Sequence, residues 1–189
     1  MTEMNHLHRQ EYENLASALR KVVWGYILIY LGLSLGTLDI LPDWLGYGLL
    51  CSALPTLAKY TPSANLLDGF CKVLIGWNLL RWGLNLFGGY ELPQIIAVCF
   101  GILTIYFHFQ LLTNLAEISD STGCSHGDRL RMLRTFTTLL QTFLALPVPW
   151  ESILEITPIA VIPFFLSFGI LIETILILNL LKKELENAA

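Results

Sequence analysis

The sequence predicts an all-α integral membrane protein, a helical bundle of six transmembrane helices arranged as three consecutive hairpins. The chain has 189 residues, of which 54% are hydrophobic and 14% charged, whereas about a quarter of the residues of a soluble domain are charged. So few charged residues cannot cover the apolar surface of a domain of this size against water. The apolar residues also form long blocks, which is typical of helices that cross a lipid bilayer.

The first 21 residues precede these blocks and are rich in polar side chains, among them Glu3, Arg9 and Glu11. A cleavable signal peptide needs an apolar core near its start, and this segment has none. We therefore predict that residues 1–21 form a cytoplasmic, amphipathic lead-in, and that the first apolar block stays in the membrane as an anchor.

Six apolar blocks follow, each close to the length of a membrane-spanning helix, about 20 residues for about 30 Å of hydrocarbon. The predicted spans lie near residues 22–40, 43–59, 66–87, 93–115, 131–148 and 156–181. The second span is short and contains Pro55, and the fifth contains four threonines and Gln141, so either could enter the membrane and return without crossing it. Together the spans make a single transmembrane domain of residues 22–181, followed by a cytoplasmic tail of residues 182–189.

The distribution of basic residues predicts the orientation of the spans. Cytoplasmic loops are enriched in lysine and arginine, and ten of the eleven basic residues fall on one side, Arg81 being the exception. Those ten are Arg9, Arg20, Lys21, Lys59, Lys72, Arg129, Arg131, Arg134, Lys182 and Lys183. The opposite loops carry the acids Asp39, Asp43, Glu91, Glu151 and Glu155. An even number of spans with this asymmetry places both termini in the cytoplasm.

The first two hairpins are related by an internal repeat of 51 residues, in which the segment from Asn14 aligns without a gap with the segment from Asn65. The matched pairs include Lys21/Lys72, Gly25/Gly76, Gly32/Gly83 and Pro42/Pro93. Each copy reads as a helix, a short acidic outer turn and a proline that opens the return helix, a place that proline tolerates. The third hairpin has the same plan, with Pro158 in the matching place. The paired glycines predict close approach between neighbouring helices.

The segment LPDWLGYGLL, which begins at Leu41, resembles a stretch of small multi-spanning bacterial inner-membrane proteins of no known activity, which carry LPD, an aromatic residue and GY. The resemblance covers roughly the first hairpin. It implies a multi-pass protein of the bacterial inner membrane, and it implies no chemistry.

Polar side chains within predicted spans are costly and mark candidate functional sites. In the third span, Asn78, Arg81 and Asn85 lie three and four residues apart, and so on one face of a helix. These are the candidate substrate-binding residues: in a cavity open to the outside, Arg81 would bind an anionic group of a solute and the two amides would orient it. The alternative is that Arg81 extends to the outer membrane surface while the asparagines join helices.

A second candidate set, an intramembrane polar cluster, lies in the inner half of the spans. Its members are Lys72, His108, Gln141 and Glu173. Glu173 lies about 13 Å before Lys182 along a helix, a depth at which a carboxylate facing lipid is costly. Glu173 and His108 would form a proton-coupling pair. Alternatively, a bond from Glu173 to Lys72 or His108 fixes the packing of the helices.

Several classes of function are disfavoured. The net charge of −4 gives no reason to expect nucleic acid, which is bound by basic patches. The loop of residues 117–129 contains acids, a cysteine and a histidine but lacks the spacing of a metal site, so we expect neither a metal nor a cofactor. No Ser–His–Asp order, phosphate loop or HExxH motif points to an enzyme.

Two interpretations of function remain from the sequence. The first is a small-solute binding or transport subunit, for a small polar or anionic solute, that works with a partner membrane subunit or an ion gradient. The second is a non-transporting membrane scaffold, immunity protein or accessory subunit of a larger complex, whose polar residues and glycines only join helices. Either interpretation is compatible with a homo-oligomer, and in both the bilayer is the main partner.

Overall fold

The structure, a computed structural model, describes residues 2–30, 34–35, 38–39, 42–86, 93–146 and 161–188. Within these ranges the chain is all-α, as predicted, apart from one minimal pair of strands. Its helices are α1 (Thr2–Tyr30), α2 (Asp43–Leu57), α3 (Ala64–Leu86), α4 (Gln94–Ser121), α5 (Gly127–Ala145) and α6 (Val161–Ala188). The strands β1 (Ser34–Leu35) and β2 (Leu38–Asp39) are antiparallel, with Ser34 opposite Asp39.

Helix α1 differs from the predicted first span at both ends. It is continuous from Thr2 to Tyr30, so the predicted lead-in and the first span form one helix. The predicted span of residues 22–40 is wrong in its outer part, because the helix ends at Tyr30 and β1 and β2 follow. The sequence there, LGLSLGTLDI, is rich in glycine, serine and threonine, which have lower helix propensity than leucine or alanine.

The two repeat prolines stand immediately before the return helices. Pro42 precedes α2 and Pro93 precedes α4, both with extended backbone (ψ 134° and 130°). The carbonyl of each proline accepts the first-turn hydrogen bond of its helix, from Leu45 N at 3.0 Å and from Ile96 N at 2.9 Å. The return helices therefore begin at matching positions in the two copies, as predicted. Pro158 lies outside the described residues.

The helices pack in the order of the sequence and close into a ring. Each helix packs against the next, and α6 packs against α1, with α1–α2 the most extensive contact. We call the end of the ring at residues 58–63 and 122–126 the inner end, following the predicted orientation, and the end at residues 42, 93 and 146 the outer end.

Side chains fill the ring at its inner end. The largest fully buried residues there come from several helices and are almost all leucine or isoleucine. They include Leu15, Leu19, Leu57, Leu115, Ile118, Leu130, Leu181 and Leu185. The outer halves of α3 to α6 contribute far fewer buried side chains. The bundle is therefore closed by a leucine-rich core at its inner end, and any cavity between the helices must lie toward the outer end.

Two glycines allow α1 and α2 to approach closely. A Cβ atom built on Gly25 would lie 2.7 Å from Leu50 Cδ2, and one built on Gly46 would lie 2.8 Å from the Gly25 carbonyl oxygen. The repeat partner Gly76, and also Gly83, have nothing within 4 Å of that position. The predicted role of the paired glycines in close packing therefore holds for Gly25 and is wrong for Gly76 and Gly83, because α3 packs on its neighbours through other residues. Gly32 lies outside the described residues.

We expect Gly46→Ala to destabilise the protein by about 1–3 kcal/mol, because its methyl group would meet the backbone of α1, which cannot move without shifting the whole helix. Gly48 lies on the same helix with nothing within 4 Å of its Cβ position. Gly48→Ala is therefore the matched control and should be neutral or gain up to about 1 kcal/mol from helix propensity. Thermal unfolding in mild detergent measures both; equal effects of the two substitutions would contradict the close contact.

Two of the described helices are long and apolar enough to cross a membrane, α4 and the Phe165–Asn187 part of α6. A core helix of a soluble protein can meet the same criteria of length and composition, but it is mostly buried. In the most apolar windows of these two helices only 22% and 28% of the residues are buried. Their length, composition and exposure agree with a membrane location.

Candidate functional site

A polar cavity of about 250 Å³ lies inside the ring, toward its outer end. All of the helices from α1 to α5 contribute to its wall. The longest wall is one face of α4, where Ala97, Gly101, Thr104 and His108 follow one another at intervals of three or four residues. We call this space the polar cavity, with His108 at its inner limit.

The predicted substrate-binding residues meet at the outer part of this cavity. Asn78 and Arg81 line the polar cavity, and together with Asn85 they line an adjoining pocket of about 70 Å³. Asp43, at the start of α2, lines both spaces. The Asn78 amide donates to the Leu74 carbonyl of its own helix at 2.9 Å, which leaves its oxygen free to accept. These positions favour the interpretation of a cavity over that of asparagines joining helices.

Arg81 is the cation of this site. Its side chain is exposed, and among the described residues no carboxylate lies within ion-pair distance of it. A guanidinium presents a planar set of donors that suits a carboxylate or a phosphate. Asp43 at the same opening makes the charge of the site mixed.

His108 is buried at the inner limit of the cavity, with 1% of its surface exposed. Its Nε2 lies 3.2 Å from Tyr47 Oη and its Nδ1 lies 3.4 Å from Tyr26 Oη. The ring of Tyr30 lies beside it, with the two ring centroids 6.1 Å apart. A neutral imidazole donates from one nitrogen and accepts at the other, and a tyrosine hydroxyl can do either. The hydroxyls of Tyr26, Tyr30 and Tyr47 and the imidazole therefore form a neutral, polar inner end of the cavity, which we call the cavity floor.

Gln141 brings α5 into the same site. Its Nε2 donates to Tyr30 Oη at 2.7 Å. Its Oε1 is buried and has no hydrogen-bond partner among the described protein atoms. A buried acceptor without a partner is costly, so this oxygen is placed to accept from a bound solute or from water.

The two predicted sets are therefore not separate. Two members of the intramembrane cluster, His108 and Gln141, line the same cavity as Asn78 and Arg81. Sequence reasoning missed the residues that connect them, chiefly Tyr26, Tyr30 and Tyr47. A signal for the first two was present, since they lie four residues apart on one face of α1 and Tyr30 is the repeat partner of Arg81. Tyr47 lies near the outer end of the predicted second span but points into the bundle, where it is buried.

Lys72 does not belong to this site. Its Nζ donates to Asp68 Oδ2 at 2.6 Å, one turn earlier on α3, and both side chains are exposed. The expectation that it would lie beside Glu173 is wrong, because the two residues lie on helices that are not neighbours in the ring.

Glu173 does not belong to it either. Its carboxylate pairs with the Arg129 guanidinium at the start of α5, and not with Lys72, His108 or Gln141. The two side chains are 40% and 47% exposed. Arg129 lies three residues after the α4–α5 link, so the structure places the Glu173 carboxylate near the inner end of the bundle and away from the polar cavity. Near the C-terminal end of α6, Glu184 Oε1 lies 3.2 Å from Nε2 of His126 in the α4–α5 link. The predicted pairing of Glu173 with His108 as a proton-coupling pair is therefore not supported.

Because Arg129 follows the inner α4–α5 link, we expect its pair with Glu173 to reach water at the inner membrane surface, where ion pairs contribute about 0–1 kcal/mol. Glu173→Gln should then change the free energy of unfolding by less than about 1 kcal/mol. Arg129→Gln should have an effect of the same size, and the double variant should be no worse than either. Unfolding in mild detergent, monitored by circular dichroism, measures all three. A loss of several kcal/mol in Glu173→Gln would show that the pair is buried in the membrane.

The chain was compared with protein-family models, with curated protein sequences and with solved structures, and none of them matches it. The geometry of the polar cavity therefore carries the functional argument by itself.

Proposed function

We propose that the chain is a six-span membrane protein with both termini in the cytoplasm, whose polar cavity binds a small solute through its anionic group. The observation that carries this proposal is the position of Arg81. It lies with Asn78 and Asn85 at the outer part of a cavity that continues to His108. Such a protein would act as a binding subunit or a minimal carrier.

The outward-facing apolar side chains support the membrane location. Ile95 on α4, Leu139 on α5 and Phe165 on α6 are 68%, 63% and 64% exposed. Similar residues continue along these helices and along α3, and they include Leu79, Leu80, Ile102, Phe136, Phe143, Ile162, Ile172 and Leu176. Water-soluble proteins rarely expose contiguous apolar surface on this scale. A bilayer covers it without a partner protein.

The length of α2 sets one condition on this arrangement. Its 15 residues extend about 22 Å at about 1.5 Å per residue, less than the about 30 Å of a hydrocarbon core. Helix α2 packs between α1 and α3, but Leu45 near its outer end is exposed. A short span in such a position is accommodated by local thinning of the bilayer.

In this proposal, different side chains of the cavity bind different groups of the solute. Arg81 would hold a carboxylate or phosphate by two parallel hydrogen bonds, and the oxygens of Asn78 and Asn85 would accept from neighbouring hydroxyl or amino groups. Deeper in the cavity, Gln141 Oε1 supplies a further acceptor. Because the leucine-rich core closes the inner end, we propose that a solute enters from the outer side. Transport would need a second conformation, driven by a partner subunit or an ion gradient.

A cysteine at Thr104, in a variant whose four native cysteines are replaced by alanine, tests the proposal. Thr104 lies on the cavity wall one turn before His108. We expect inorganic phosphate or short carboxylates, such as acetate and succinate, to slow the reaction of this cysteine with a thiol reagent, and Arg81→Gln to remove the protection. If none of these anions protects the cysteine in either background, the cavity does not bind anions, and a non-transporting scaffold or accessory subunit becomes the better account.

A further inference from the structure

A large apolar groove lies on the outer surface of the ring between α4 and α5. It has a volume of about 750 Å³ and extends along α4 from Gln94 to Phe109, a length of about 22 Å at 1.5 Å per residue. Its α4 wall is mainly aliphatic and aromatic, with Ile102, Ile105 and Phe109, and its α5 wall includes Thr138 and Thr142. One leaflet of a bilayer is about 15 Å of hydrocarbon, so the groove is long enough for an acyl chain.

The groove and the polar cavity meet at α4. Ala97 and Gly101 line both spaces, and a Cβ atom built on Gly101 would have nothing within 4 Å. At this place α4 therefore presents only a methyl group and a bare backbone between the two spaces. On the other side of α4, Trp77 and Phe100 stack with their ring centroids 4.0 Å apart and close the cavity between α3 and α4. We therefore infer that a passage from the cavity toward the membrane would lie on the α4–α5 side.

From this adjacency we propose that the ligand is a single-chain amphiphile, with its anionic head at Arg81 and Asn78 and its hydrocarbon chain in the groove between α4 and α5. The proposal rests on the proposed function, because it uses the same polar cavity for the head. The volumes agree with it: small-molecule sites measure about 300–1,000 Å³, and the polar cavity alone is smaller than that. The groove supplies the space that the polar cavity lacks.

The anionic head of the amphiphile must supply most of the free energy of binding. A chain that leaves the bilayer for an apolar groove exchanges one apolar environment for another, so it gains little from the hydrophobic effect. An anionic head gains the Arg81 guanidinium and the amides of the cavity. A neutral amphiphile with the same tail should therefore bind much more weakly.

Photocrosslinking of the purified full chain in nanodiscs tests the proposal, with a palmitate analogue that carries a diazirine in its chain. We expect crosslinks to concentrate at the groove residues of α4 and α5, to be displaced by excess palmitate and to be displaced at least tenfold less well by hexadecanol. Gly101→Phe, which fills the place where the two spaces meet, and Arg81→Gln should each reduce groove labelling at least fivefold. Gly169→Phe is the matched control on α6, since Gly169 also has nothing within 4 Å of its Cβ position, and it should change nothing.

Three outcomes would overturn the proposal. Labelling spread evenly over the exposed faces of α3 to α6, without displacement by palmitate, would mean ordinary lipid contact. Groove labelling that both Gly101→Phe and Arg81→Gln leave unchanged would mean that the head does not reach the cavity. Absence of groove labelling, with a disulfide formed between two copies of Ile102→Cys, would mean that a second chain covers the groove. If phosphate or acetate still protects the Thr104 cysteine in any of these cases, the proposed function stands without the amphiphile; without that protection both fail.

Discussion

His108→Leu should lower the free energy of unfolding by about 2–4 kcal/mol, the largest effect that we expect of any single substitution in the cavity. Leucine is close to histidine in size, so the packing changes little. The imidazole, however, is the partner of two buried tyrosine hydroxyls, Tyr47 at 3.2 Å and Tyr26 at 3.4 Å. Its removal leaves the Tyr26 hydroxyl without that partner in the protein interior and the Tyr47 hydroxyl with Thr104 alone. A buried hydroxyl without a partner costs about 1–3 kcal/mol.

The control for this prediction removes the tyrosine hydroxyls as well. In a triple variant of Tyr26→Phe, Tyr47→Phe and His108→Leu no hydroxyl is left unpaired, so most of the lost stability should return. Unfolding in mild detergent on adding denaturing detergent measures the series. Two results would contradict the hydrogen bonds from His108 to Tyr26 and Tyr47. One is that His108→Leu is as stable as the natural protein, and the other is that the triple variant is less stable than the single one.

Arg81→Gln should change the charge preference of the cavity by more than tenfold. With a cysteine at Thr104, the natural Arg81 should favour a negatively charged thiol reagent over a positively charged one of the same size. Two unit charges about 10 Å apart interact by about 1.7 kcal/mol at an effective dielectric constant of about 20, which is more than tenfold in rate. The ratio of the two reaction rates, measured with and without Arg81→Gln, gives the result directly.

Lys72→Gln is the matched control, because it removes the same charge from the same helix. Lys72 is exposed and paired with Asp68, and it is not among the residues that line the cavity. Its replacement should leave the ratio of rates within about twofold. Equal effects of the two substitutions would mean that the reagents sense the overall charge of the protein and not a cation in the cavity.

The sequence alone was enough to predict those structural features that depend on residues close together along the chain. Asn78, Arg81 and Asn85 share a helix face by spacing alone, and the structure places all three at one opening. Pro42 and Pro93 precede α2 and α4 because the start of a helix does not need the backbone N–H that proline lacks. These features depend on a few neighbouring residues, and so a single sequence contains them.

The rest of the site depends on how separate helices meet, which spacing cannot supply. The partners of His108 come from α1 and α2, 82 and 61 residues away along the chain. The partner of Glu173 was predicted wrongly because Arg129, with which it pairs, lies on α5, 44 residues away along the chain.

The sidedness of a cysteine at Thr104 tests the central claim most directly, namely that a membrane-embedded cavity opens to the outer side. In intact spheroplasts, and without native cysteines, a membrane-impermeant thiol reagent added outside should modify this cysteine. A cysteine at Ser125, which is exposed in the α4–α5 link, should react only after the membrane has been opened. Reaction of the Ser125 cysteine from outside, or of the Thr104 cysteine from the inside alone, would contradict the account.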